Sequence, residues 1–130
     1  NPPSGFLVPA AIPSDYKLQG GQMFTVDSAL STYANSAGQN LDYREYGDGS
    51  YKKNMEDIGK DPGYKIIKKF TYNGFEGEVM QAHVTIASIP VSTQFLSYNH
   101  NGKYLTIRAD DPKITPDDLI NLLEAMTVAK

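Results

Sequence analysis

The sequence predicts an α+β fold, a single antiparallel β-sheet of hairpins backed by a C-terminal α-helix. Three observations predict it. Strand-like stretches alternate with Asn/Gly turn chemistry, and Asn73-Gly74 is the strongest hairpin signal because both residues tolerate positive φ. The last long stretch, Ile114 to Met126, carries helix start signals and an apolar stripe at helical spacing. The chain has 130 residues, 40% of them hydrophobic and 21% charged, which suits one globular domain.

Taken in order, residues 1–11 read as an extended Pro-rich lead-in with Pro2, Pro3 and Pro9, and 12–130 as the globular domain. Phe6, Leu7, Val8 and Ile12 are expected to lie partly against the core. Gly20-Gly21 marks a turn. Met23–Tyr33 has strand composition, Asn35-Ser36-Ala37-Gly38 is turn chemistry, and Asn40–Tyr46 is the returning strand. On that strand Leu41, Tyr43 and Glu45 share one face, and Asp42, Arg44 and Tyr46 the other. Ser50 opens a short helix with Tyr51, Met55 and Ile58 on one face, stopped by Gly59 and Pro62.

Tyr64–Tyr72 and Phe75–Ile86 are the strands flanking Asn73-Gly74. Simple alternation puts Tyr64, Ile66, Phe70 and Tyr72 on one face. Gly77 inside the second strand predicts a bulge or a close backbone approach. Ala87–Ser92, with Pro90, reads as a connector. Thr93–Tyr98 and Lys103–Ala109 then flank a four-residue turn, Asn99-His100-Asn101-Gly102. Three hairpins followed by a helix imply an antiparallel sheet with one covered face.

The helix has the clearest local grammar. Thr115 is a good N-cap, Pro116 sits at the first helical position, and Asp117 and Asp118 face the positive end of the dipole. Asp118 stands where a capping box has Glu or Gln, so the box is expected to be imperfect. Ile114 and Leu119 fit a hydrophobic staple. Leu119, Ile120, Leu122, Leu123 and Met126 form a stripe that must be buried, and packing on the sheet is the expected means.

Composition excludes several classes. A net charge of −3 argues against a nucleic-acid partner, which asks for a basic face. With no Cys, disulfides, thiolate zinc sites and a Cys nucleophile are excluded. No apolar run is long enough to span a bilayer. The Asn1-Pro2-Pro3 start, without Met, reads as that of a fragment or mature form, with any membrane tether lying upstream.

Motifs that carry chemistry are sparse. His83 and His100 lack metal-ligand spacing and are expected at a sheet surface and in a solvated turn, respectively. Glu76 with Glu78, and Asp110 with Asp111, pair carboxylates, but neither pair sits beside a recognisable nucleophile or phosphate loop. No catalytic, cofactor or metal residue is therefore expected. Six of the twelve basic residues fall between Lys52 and Lys69. Lys65, Lys68 and Lys69, with the strand tyrosines Tyr98 and Tyr104, make up the candidate binding surface, although core packing is the commoner role for such tyrosines.

The order of these signals resembles a family of extracytoplasmic domains of unknown function at the C-terminus of membrane-anchored bacterial and archaeal proteins, some anti-sigma-like or lipoprotein-sorting-like. The residues that carry the resemblance are Ile12-Pro13-Ser14-Asp15-Tyr16, Tyr33-Ala34-Asn35, Tyr72-Asn73-Gly74-Phe75-Glu76-Gly77, Tyr98-Asn99-His100-Asn101-Gly102-Lys103-Tyr104-Leu105-Thr106-Ile107, and Thr115-Pro116-Asp117-Asp118-Leu119. Asp15 stands where the family has Gly, and Tyr98 where it has Trp. The resemblance implies a PsbP-like fold and transfers no catalytic residue. It implies a non-enzymatic binding or sensing module outside the cytoplasm, secreted or tethered, that meets a protein or an envelope component. The alternatives are a carrier of a small apolar or lipid-like ligand held between sheet and helix, and a hydrolase whose acids meet only in the fold.

Overall fold

A computed structural model describes residues 5–25, 28–47, 60, 63–86, 88–100 and 102–128. The strands are β1 (Leu7–Val8), β2 (Lys17–Phe24), β3 (Ser28–Ala34), β4 (Asn40–Tyr46), β5 (Tyr64–Tyr72), β6 (Phe75–Ile86), β7 (Ile89–His100), β8 (Lys103–Ala109) and β9 (Thr127–Val128). The helix α1 (Pro116–Glu124) lies between β8 and β9. The architecture is therefore α+β, dominated by one antiparallel sheet with a C-terminal helix, as expected. The short helix expected after Ser50 lies outside the described residues.

Strands β2 to β8 form a seven-stranded sheet in the order β2-β3-β4-β8-β7-β6-β5, and β1 and β9 pair as a separate two-stranded ribbon. Two antiparallel meanders, β2-β3-β4 and β5-β6-β7-β8, thus meet where β4 pairs with β8, with Tyr43 opposite Ile107 and Glu45 opposite Leu105. Cross-strand partners share a face, so the register assigns every side chain to one side.

The covered face holds Tyr33, Leu41, Tyr43, Val79, Leu96, Tyr98, Leu105, Ile107 and Ala109, packed with Leu119, Leu123 and Met126. The opposite face is not simply solvated. Met80, Ala82 and Phe95 form a second buried cluster there with Tyr64 against it, which corrects the expectation of one covered face. The two clusters follow from alternation: Val79 and Met80 are neighbours in the chain and point to opposite faces.

Local chemistry explains the turns that were expected. Asn73 and Gly74 adopt φ of 51° and 81°, the signature of a type I′ hairpin. Asn35 organises the β3–β4 turn, its Oδ1 accepting from the N–H groups of Ala37 (3.1 Å) and Gln39 (2.9 Å). Gly77 is opposite Phe70, whose ring occupies the space a Cβ would need, so the glycine serves a close approach.

Several expectations are corrected. Gly20-Gly21 does not end a strand; β2 runs through it as a bulge between Gln19 and Met23, on the sheet edge where bulges discourage further pairing. Met23–Tyr33 is consequently two strands, not one. On β5 a bulge between Ile66 and Lys68 reverses the alternation. Tyr64 and Ile66 share a face with Ala82 and Met80, whereas Lys68 and Phe70 share the covered face with Val79 and Gly77. Finally, the stretch with Pro90 is not a connector: β7 runs from Ile89 to His100, and Thr85 pairs Pro90. Pro is tolerated there because β8 pairs only Gln94 to His100, leaving β7 with a single neighbour at its start. Asn99 and His100 therefore belong to the strand, and His100 pairs Lys103.

Helix α1 begins as its sequence dictates, with one improvement. The Thr115 hydroxyl accepts from the Asp118 N–H (3.1 Å), and the Asp118 carboxylate accepts from the Thr115 N–H (2.9 Å), so Asp completes the capping box. Ile114 and Leu119 are both buried, as the staple requires. The helix stops at Glu124 rather than Met126, because Met126 turns into the core and leads into β9. It packs on β7 and β5, and Lys68 on β5 is ion-paired with Asp117 at its first turn.

Candidate functional site

Two places on the molecule carry polar side chains in arrangements that packing alone does not require. The first is the outermost strand β5. Lys65, Ile66, Ile67, Lys68 and Lys69 are exposed in a continuous row. The bulge divides them: Lys65 and Lys68 take the side of the helix, and Lys69 the other side, opposite Glu78. Lys68 is engaged by Asp117, so Lys65 and Lys69 carry the available charge of the row. Ile66 and Ile67 keep 46% and 38% of their surface exposed.

The expected partners of these lysines are elsewhere. Tyr98 and Tyr104 are 3% and 2% exposed, so neither contributes to a surface. Tyr98 is the hub of an aromatic cluster, with ring centroids of Phe70, Tyr72 and Phe75 within 6.0–6.4 Å. Its hydroxyl donates to the Tyr72 carbonyl at 2.7 Å, and burial first, then the nearby Tyr72 phenol, raises its pKa. Tyr104 packs against Tyr46 on the opposite face (6.4 Å). Cross-strand packing, the commoner role for strand tyrosines, is the role both take.

The second place lies at one end of the covered face. Glu45 is buried there, its side chain only 2% exposed. His100 Nε2 sits 2.9 Å from Glu45 Oε1, reaching from β7 over β8 to β4. The Leu7 backbone N–H donates to both carboxylate oxygens, at 3.1 and 3.2 Å. The Tyr98 ring stacks on the imidazole at 5.4 Å. A buried carboxylate is costly unless hydrogen-bonded, and this one is satisfied from two directions. Beside it lies a cleft lined by Leu7, Phe24, Tyr43, Glu45, Leu105 and Met126 with a cavity volume of about 10 Å³, room for about one water.

Sequence reasoning put His100 in a solvated turn and did not single out Glu45. The signal was present in part. Glu45 shares a strand face with Leu41 and Tyr43, and a carboxylate on an apolar face needs a partner. Nothing local indicated that the partner stood fifty-five residues away.

Tyr16 donates to Asp111 (3.1 Å) and is buried; burial, then Asp111, push its pKa up to about 12. Tyr43 is raised further by burial, with Tyr33 adding to it. His83 is exposed on β6, as expected. Among the described residues, no group of three or more His, Asp or Glu is arranged to hold a metal ion. No described helix is long and apolar enough to cross a membrane.

In comparisons with known proteins, no family model matches the chain and no curated protein sequence matches it.

Proposed function

We propose that this chain is a non-enzymatic binding or sensing module of the cell envelope, acting outside the cytoplasm, and that it meets its partner through the β5 edge. The observation that carries the reading is the exposed Lys65 and Lys69 beside Ile66 and Ile67 on an outermost strand, with Lys68 between them paired to Asp117. Cationic side chains beside apolar ones suit an anionic envelope component, because the charge attracts and the isoleucines add burial. The extracytoplasmic setting, and a tether upstream, rest on the resemblance of the hairpin and helix motifs. An antiparallel sheet backed by a C-terminal helix is compatible with the PsbP-like architecture that the resemblance implies.

The carrier reading asks for an internal volume on the order of 300 Å³. It is less favoured, since Leu96, Ile107, Leu119 and Leu123 pack between sheet and helix with 0–1% exposure. The edge reading is tested by co-sedimentation with phosphatidylglycerol-containing vesicles and with neutral phosphatidylcholine vesicles. The expected result is pelleting with the anionic vesicles only, lost in the Lys65→Glu/Lys69→Glu variant. Equal behaviour of wild type and variant would reject the β5 edge as the contact.

A further inference from the structure

We infer that residues 5–8 form a releasable strap, latched to the sheet by the Glu45–His100 pair, that opens without unfolding the core. The inference is independent of the β5 edge. Three segments distant in sequence converge on one carboxylate: β1 through the Leu7 N–H, β4 through Glu45 itself, and β7 through His100. Among the described residues its other contacts are few. β1, among the described residues, pairs with β9 alone, through Leu7 opposite Val128 and Val8 opposite Thr127, and both β9 residues are exposed. Its other anchors among the described residues are Phe6, buried with the Lys103 ammonium 5.9 Å from its ring centroid, and the half-buried Leu7 side chain, which packs against the core cluster. The chain that follows, through Ala10 and Ala11, is exposed again.

The chemistry of the latch separates it from ordinary core packing. A strand with two paired residues is weak by itself, and segments with few buried contacts open at low free energy. Hydrogen bonds to a charged acceptor are about twice as strong as neutral ones, so one buried carboxylate supplies much of the tie. His100 is a positioning residue: it fixes Glu45 Oε1, while Tyr98 stacks on the imidazole. When the strap lifts, the cleft lined by Phe24, Tyr43, Leu105 and Met126 loses the cover that Leu7 and Val8 give it.

The test is residue-resolved amide hydrogen exchange on the full chain as wild type, Glu45→Leu and His100→Gln. In Glu45→Leu, exchange at Val8 and Thr127, a pair that does not bond Glu45 itself, is expected to quicken at least tenfold while Leu96 and Ile107 keep their wild-type rates. His100→Gln is expected to give the same pattern with a smaller increase. A parallel rise at all four positions in both variants would overturn the inference, because the strap would then be part of the cooperative core. Unchanged exchange at Val8 and Thr127 in Glu45→Leu would overturn it also, because the carboxylate would not be what holds the strap.

Discussion

The covered face of the sheet is closed by two different devices, and their chemistry differs. Over β5 and β7 lies helix α1, whose Leu119 and Leu123 insert into apolar side chains. Over β4 and β8 lies the β1–β9 ribbon, held by a buried carboxylate and a histidine. The helix closes its half by area: many small dispersion and hydrophobic terms, none indispensable in direction. The ribbon closes its half with less apolar area, from Phe6 and Leu7, and with a few bonds to Glu45 that must all be made, because a half-satisfied buried carboxylate costs more than none. The difference teaches that one face of one sheet can combine a cooperative region with a locally separable one.

The largest expected effect breaks the helix side. Leu123→Ala removes a side chain that is 1% exposed, and the expected loss of global stability is about 2–5 kcal/mol by urea unfolding. On the ribbon side, Phe6→Ala removes a larger buried ring, yet the loss is expected to be less than half as great. Its cost is capped by the free energy of opening the strap, since beyond that point the strap is simply open. Equal losses for the two variants would erase the distinction between the coverings.

A smaller effect sharpens the helix side. Thr115→Ala removes the N-cap hydroxyl that accepts from Asp118, at an expected cost of about 1 kcal/mol, again read by urea unfolding. The last effect depends on pH. Tyr16 holds its proton up to about 12 in the folded protein, against 10 in the open chain. Above pH 10 the unfolded state therefore sheds protons that the folded state keeps, and stability falls as pH rises toward 12. Stability measured at pH 9 and pH 11 should drop less for Tyr16→Phe than for wild type.

The helix side was legible in the sequence because its signals are local. Thr115, Pro116 and the Leu119/Leu123 spacing lie within nine residues of one another, and the Asn73-Gly74 turn specifies its own hairpin. The bulges were not legible. An extra residue at Ile67 changes which face every later side chain takes, and alternation alone carries no mark of it. The β7 extension was missed because Pro90 reads as a strand breaker unless the strand is known to have one free side. The candidate surface was half legible: the lysines of β5 are exposed, whereas Tyr98 and Tyr104 belong to sheet packing. The Glu45–His100 pair was out of reach, because it exists only once β4 and β8 are neighbours, and no local pattern encodes that pairing.

The pairing of β4 with β8 is the claim on which the rest depends, and a nuclear Overhauser spectrum of the labelled protein tests it most directly. The account predicts cross-peaks between the backbone protons of Tyr43 and Ile107, together with contacts from the His100 ring to the Glu45 side chain. Cross-peaks placing β4 beside any other strand of the second meander, with no His100–Glu45 contact, would contradict both the sheet order and the strap built upon it.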